Sequence, residues 1–502
     1  MLRRHPRTFA YVFSTLAFAL ILFAAHGPYL SLPYFWDELG QFVPAALDLY
    51  RDGSLVPHSA IPNVHPPGVM AWLAAAWSVA GYSIVATRTA MLILASFGLL
   101  CAFLLSIELF RGLPGAPAFL ALLPLLVDPL FFTQSMMAQL DMPAMVFSLA
   151  GLLLFLQNRH VAAAAACCAL VLSKETGIVL PLVLGLSLTI RKRQRIQAAW
   201  YAAPFLLLAC WLALLWRTTG TPFGDPAFAR YNTVYALHPV RLGAAFVRRF
   251  YYLFVADFRW VGCIAIVYGW RRGVFAHAGW KVVGAFAAFH VTEVTVLGGA
   301  ELERYLLPVV PLFYMACAAG WTSFAPVWRN VSVAALCLGL LAGLAINPPY
   351  PFPFENNLAM ADFVALHKAA AEYLERNYPG ESVYTAWPLT AALRTPEFGY
   401  VHRGLKTVET SDLHFSTLNK LDPEKVQVLA MYSRTQEDGW IMSNVWVRKF
   451  LTRYFDYERQ MTSIECRRKF GLFSVMRWTR RGQWIEVYAR DPRPPPVPSP
   501  AM

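Results

Sequence analysis

The chain has 502 residues, of which 57% are hydrophobic and 15% charged, and its mean hydropathy is +0.44. A soluble domain carries about 25% charged and about 45–50% apolar residues, so a soluble globular enzyme and a disordered or collagen-like chain are excluded for most of this length. The net charge of +13 is not one basic tail: 20 of the 43 basic and 17 of the 30 acidic residues follow residue 350, and the rest punctuate apolar runs. That pattern indicates a polytopic membrane protein with a soluble appendage rather than a nucleic-acid binder.

A membrane helix needs about 20 mostly apolar residues. Runs of this kind fall near 9–28, 86–110, 116–135, 142–157, 160–174, 176–190, 197–217, 250–270, 279–297, 304–323 and 331–347, which predicts about eleven spans. The first run follows Met-Leu-Arg-Arg and is long for a signal peptide, so it is read as an uncleaved anchor. Residues 39–52 and 66–82 are read as juxtamembrane helices; the second carries Trp72 and Trp77, which favour an interface. In the third run, Pro124 and Pro129 predict a kink that leaves Asp128 inside the bundle.

The loops orient these spans. Arg3, Arg4 and Arg7, then Arg111, Arg159, the group Arg191, Lys192, Arg193 and Arg195, then Arg271, Arg272 and Arg329 fall in every second connection. By the positive-inside rule the N-terminus is cytoplasmic, and the odd count carries the C-terminal part to the other side. The long outer loop 218–249 breaks the rule with Arg230, Arg241, Arg248 and Arg249.

Residues 1–350 thus form a transmembrane domain and 351–491 an extracytoplasmic α/β domain. The latter has a helix over 359–377 stopped at Pro379-Gly380, and strands at 383–387, 426–431 and 485–489. A proline-rich tail, 492–502, reads as disordered. Seven of the eight cysteines lie in apolar runs, and Cys466 alone lies in the polar part, so no disulfide framework and no CxxC metal spacing arises.

The outer loops hold the candidate chemistry, because charged groups beside hydrocarbon are costly and functional by default. Asp37-Glu38 follows the aromatic triplet 34–36; the pair is either a general-base site or the first turn of the surface helix 39–52. Asp141 closes the third span or caps the next helix. Lys174-Glu175 lies between the fifth and sixth spans, as a local ion pair or a phosphate ligand. Arg304 stands beside Glu303 at the start of the tenth span, snorkelling or clamping phosphate. His65 precedes Pro66-Pro67, which fix its backbone. The acids and His65 match no recognised metal-ligand spacing, and a divalent ion stays open. A transporter or lipid flippase is the alternative class; it calls for charges at mid-depth, where only Asp128, Asp257 and Glu293 qualify.

The acidic pair, the His-Pro-Pro, the stretch from Asp128 through Gln134-Ser135 to Leu140-Asp141, and Glu303-Arg304-Tyr305-Leu306-Leu307-Pro308 together resemble the GT-C glycosyltransferases. The similarity is nearest to the glycosyltransferase 39 group, which holds protein O-mannosyltransferases and the aminoarabinose transferase acting on lipid A. It covers residues 1–350. It implies a polyprenyl-phosphate sugar donor and a lipid, glycan or protein acceptor, with transfer on the extracytoplasmic face of the plasma (inner) membrane; no cofactor is required, since lysine and arginine can neutralise the phosphate. Asp37 corresponds to the family's catalytic acid and Asp141 to its second acidic residue, with Glu38 beside them. His65 stands where the aminoarabinose transferase has a phosphate-binding lysine and the mannosyltransferases a histidine. Lys174, Arg304 and Tyr305 complete the expected substrate-binding set. The chain departs from the mannosyltransferases after the double proline, where it has Gly68-Val69-Met70.

Overall fold

The computed structural model describes residues 6–113, 118–190, 195–436 and 440–491. Most of the basic run after the sixth apolar segment, the arginines before residue 6 and the proline-rich tail lie outside the described residues. The chain divides into two compact units. The first comprises Met1–Ser31, Gln41–Ile346 and Glu355–Leu358, and the second Leu32–Gly40, Asn347–Phe354 and Ala359–Met502.

The first unit is helical. Among the described residues, Tyr11–Tyr29, Ile84–Leu109, Arg195–Thr219 and Pro326–Ala345 are long and apolar enough to cross a membrane, and the number is six if each of two bent helix pairs is one span. Shorter apolar helices, among them Asp141–Leu156, His160–Ser173 and Val310–Trp321, fill the interior. Large apolar side chains such as Leu20, Leu206, Trp216 and Leu338 point outward from the long helices. Such a surface would associate in water and is the surface of a lipid-facing body.

Packing against lipid gains little from hydrophobicity, so close contact between small residues decides where helices cross. Helices Arg259–Arg271 and Val310–Trp321 show it. A Cβ on Gly269 would lie 2.7 Å from Cα of Gly320, and one on Gly320 would meet the carbonyl of Ala265.

The expected third span is broken rather than kinked gently. Ala118–Val127 and Pro129–Met136 meet at 74°. Asp128 makes the break possible: its carboxylate accepts from Phe131 N–H at 3.0 Å, capping the second helix where Pro129 begins it. The same carboxylate takes Arg259 at 2.7 Å and the Tyr314 hydroxyl at 2.5 Å, all without solvent exposure. The outer loop 218–249 also differs from expectation. It contains most of the amphipathic helix Pro239–Phe254, which meets Ala256–Arg271 at 46°.

The second unit is α/β. Helix Ala359–Asn377 covers a five-stranded sheet of order β2-β1-β3-β5-β4, with β1 Val383–Ala386, β2 Thr407–Thr410, β3 Val428–Tyr432, β4 Phe473–Arg480 and β5 Gln483–Ala489. β1 pairs parallel with β2 and β3, while β5 pairs antiparallel with β3 and β4. The three strands legible in the sequence are the interior ones, whose side chains are buried throughout or nearly so. The two that escape it, β2 and β4, are the edges, where exposure dilutes the apolar signal.

The segment Leu32–Gly40 belongs to this second unit. Tyr34 and Phe35 are buried, and the Tyr34 carbonyl accepts from the Tyr400 hydroxyl at 2.7 Å. Trp36 lies edge-to-face with Trp387 at 5.2 Å between ring centres.

Candidate active site

Five of the seven expected site residues converge within the first unit. Asp141 is the first residue of helix Asp141–Leu156, where the helix dipole favours a carboxylate. Lys174 is extended between helix His160–Ser173 and the turn Glu175–Ile178, and this conformation sends its stem across to Asp141. The ammonium lies 2.5 Å from Asp141 Oδ1. Arg304 stands in the turn Glu303–Leu306 ahead of helix Val310–Trp321, with Nε 3.0 Å from Asp141 Oδ2. All three are buried.

Arg304 has a second carboxylate. Its Nη1 is 2.7 Å from Glu355 Oε2 and donates to Gln139 Oε1 at 2.8 Å; the Gln139 amide donates to the same Glu355 oxygen at 3.2 Å. Two cations and two carboxylates therefore alternate in an open chain: Lys174, Asp141, Arg304, Glu355. Thr133 donates to the Glu355 carbonyl at 2.6 Å, so the helix set by Asp128 also fixes this residue.

Arg304 is not paired with its neighbour Glu303, and it does not snorkel. Glu303 instead lies 2.5 Å from Arg248 and accepts from Asn356 at 2.8 Å. Nor do Lys174 and Glu175 make the local pair that their adjacency allows. Glu175 meets His65 Nδ1 at 2.8 Å, so each member of the dipeptide serves a different partner. Nearby Glu301, in the connection before the turn, has its carboxyl raised by burial against the lowering effect of Arg248 and Arg249.

Lys174 also faces a cavity of about 300 Å³. Leu208, Leu212, Phe223 and Leu297 give it apolar walls, and Lys174, His65, Glu175, Glu293 and Tyr305 supply polar groups. The Lys174 ammonium sits 3.9 Å from the centre of the Tyr305 ring. A lysine has three donors. One is directed at Asp141, and the group stands beside an apolar chamber suited to a lipid-linked anion.

Asp37 and Glu38 stand elsewhere in the chain's organisation, in the segment that belongs to the second unit. Glu38 is fully buried and accepts from Phe35 N–H at 2.8 Å, so it braces the loop. Asp37 is half-buried and follows Trp36, whose φ of 43° is rare for a bulky side chain. The expectation that acids and cations come from one set of outer loops omitted Gln139 and Glu355. Glu355 had a signal: a lone acid in Phe354-Glu355-Asn356-Asn357, just after the last apolar run. Among the described residues, no group of three His, Cys, Asp or Glu is placed to hold a metal.

No family model matches the sequence, and no curated protein matches it. Among solved structures, the chain is similar to ArnT from Cupriavidus metallidurans in its apo state, with a TM-score of 0.52 at 14% identity. It is similar also to the same protein bound to undecaprenyl phosphate, with a TM-score of 0.51 at 14% identity. Each comparison covers 96% of this chain and 98% of the other. The likeness establishes the fold: this is a polytopic helical membrane protein of the GT-C type with a small C-terminal α/β unit.

Proposed function

We propose that the chain is a membrane glycosyltransferase that moves a sugar from a polyprenyl-phosphate donor to a hydroxyl or phosphate of a lipid, glycan or protein acceptor. The observation that carries this reading is the placement of Lys174. Its ammonium is held by a buried carboxylate and faces an apolar chamber. That combination suits a phosphate carried on a hydrocarbon chain, and it occurs in a fold shared with a protein whose structure holds undecaprenyl phosphate. On this reading residues 1–350 do the transfer in the plasma (inner) membrane, with the N-terminus cytoplasmic. The cleft and residues 351–491 are extracytoplasmic.

The reaction is one inverting displacement. Asp37 takes the proton of the acceptor hydroxyl, the oxygen attacks the anomeric carbon, and the bond from that carbon to the phosphate oxygen breaks. The electron pair leaves on the polyprenyl phosphate, where charge must be stabilised as it develops. Lys174 and Arg304 supply cations for it, with His65 and Tyr305 at the chamber. Asp141 and Glu355 hold the two cations in place before the lipid arrives. Glu38 holds the Asp37 loop in shape.

The test uses the full chain in proteoliposomes with a polyprenyl-phosphate sugar. Asp37→Asn leaves the protein inserted and lowers transfer by about 10²–10⁴-fold, the range of a lost general base. Near-wild-type turnover removes Asp37 from that role. The sugar is identified by mass spectrometry of the lipids, glycans and proteins that change when the chain is deleted.

A further inference from the structure

The second unit carries a helix that the transfer reaction does not use. Val445–Tyr454 has no buried residue. Asn444 caps it, accepting from Trp446 N–H at 2.8 Å, so it is a defined helix rather than a frayed loop. Its inner side, Val447, Leu451 and Tyr454, is half-buried. Trp446 and Phe450, one turn apart, stand outward with 74% and 42% of their surface exposed. Residues 440–455 contain Arg448, Lys449 and Arg453 and no acid.

The cations sit on the shoulders of the aromatic strip. The Lys449 ammonium is 5.2 Å from the Trp446 ring centre, and the Arg453 guanidinium is 5.4 Å from that of Tyr454. Exposed tryptophan and phenylalanine flanked by basic residues on a short amphipathic helix suit the boundary between headgroups and acyl chains. A bilayer is within reach by covalent connection alone. The unit is continuous with helix Pro6–His26 through residues 32–40, and with helix Pro326–Ala345 through residues 347–358. A protein partner is the weaker match. A hot spot of this composition wants a pocket for its aromatic anchor and acids for its cations, whereas a membrane supplies both without shape complementarity.

We infer that helix Val445–Tyr454 is a membrane-surface anchor of the second unit. It inserts Trp446 and Phe450 among acyl chains and sets Arg448, Lys449 and Arg453 on anionic lipid headgroups. The anchor does not depend on the proposed transfer reaction and stands if that reading fails.

The test is hydrogen exchange of the full chain, followed at the amides of 445–454. Three environments are compared: detergent, nanodiscs of phosphatidylcholine, and nanodiscs that also contain phosphatidylglycerol. Protection rises from detergent to phosphatidylcholine and again with the anionic lipid. Lys449→Glu with Arg453→Glu removes the anionic increment; at about five-fold per charge near the surface, the pair changes it by about 30-fold or more. Trp446→Ser lowers protection in both kinds of disc while exchange across helix Ala359–Asn377 stays unchanged, which separates lost docking from lost folding. Equal exchange in all three environments overturns the inference. So does protection that follows protein concentration instead of lipid, because the occupant is then a second copy.

Discussion

Replacing Lys174 with methionine keeps most of the length of the side chain and deletes its charge. The carboxylate of Asp141 loses a partner at 2.5 Å but keeps Arg304 at 3.0 Å. Breaking a buried pair outright costs about 3–5 kcal/mol because a charge is left uncompensated. Here the remaining guanidinium softens that penalty, and Lys174→Met costs about 2–3 kcal/mol. Asp141→Leu is worse, since it strips Lys174 of its carboxylate and leaves Arg304 with Glu355 alone, and it takes the full 3–5 kcal/mol. The double variant restores balance, with Arg304 and Glu355 remaining as a one-to-one pair at 2.7 Å. It is therefore less damaged than the sum of the singles, by a coupling of about 2–3 kcal/mol. Reversible unfolding in mixed micelles of mild detergent and dodecyl sulfate reads all four corners of the cycle. Additivity within about 0.5 kcal/mol refutes the reasoning, because two charged groups in direct buried contact cannot act independently. A second readout concerns ligand: undecaprenyl phosphate raises the unfolding midpoint of the wild type and not that of Lys174→Met.

Two further outcomes test packing and titration. Gly320→Ala drives a methyl group into the Ala265 carbonyl and costs about 1–3 kcal/mol in the same micelle assay, whereas Gly243→Ala, with nothing within 4 Å, is tolerated. In the second unit His367 is buried, stacked on Phe363 at 3.7 Å between ring centres, and burial pushes its pKa down to about 3. The unfolded chain binds this proton near pH 6.5 and the folded unit does not, so stability is fully present above that value and falls as pH drops toward 3. Between pH 7 and pH 5 the loss from this residue is about 2 kcal/mol. Hydrogen exchange along helix Ala359–Asn377 measures it, and His367→Phe flattens the slope; an unchanged slope assigns the titration to another group.

Hydrophobic period and length determined much of this protein in advance. The helix over 359–377 and the interior strands follow from apolar patterning and turn residues, and most of the apolar runs became helices near their expected places. The candidates Asp141, Lys174 and Arg304 were singled out because a charge beside hydrocarbon must have a reason, His65 by the two prolines that follow it, and Tyr305 by the family resemblance alone. Tertiary structure alone decided who pairs with whom. Arg304 has an adjacent acid in sequence and takes Asp141 and Glu355 instead; Lys174 and Glu175 turn to opposite partners. It also decided that the loop carrying Asp37 and Glu38 folds with the C-terminal unit, and that the third span breaks by 74° at a capped proline. The physical reason is range. Local patterning reports whether a segment can bury a face or satisfy its own backbone, while an ion pair depends on where a chain of hundreds of residues brings its two ends.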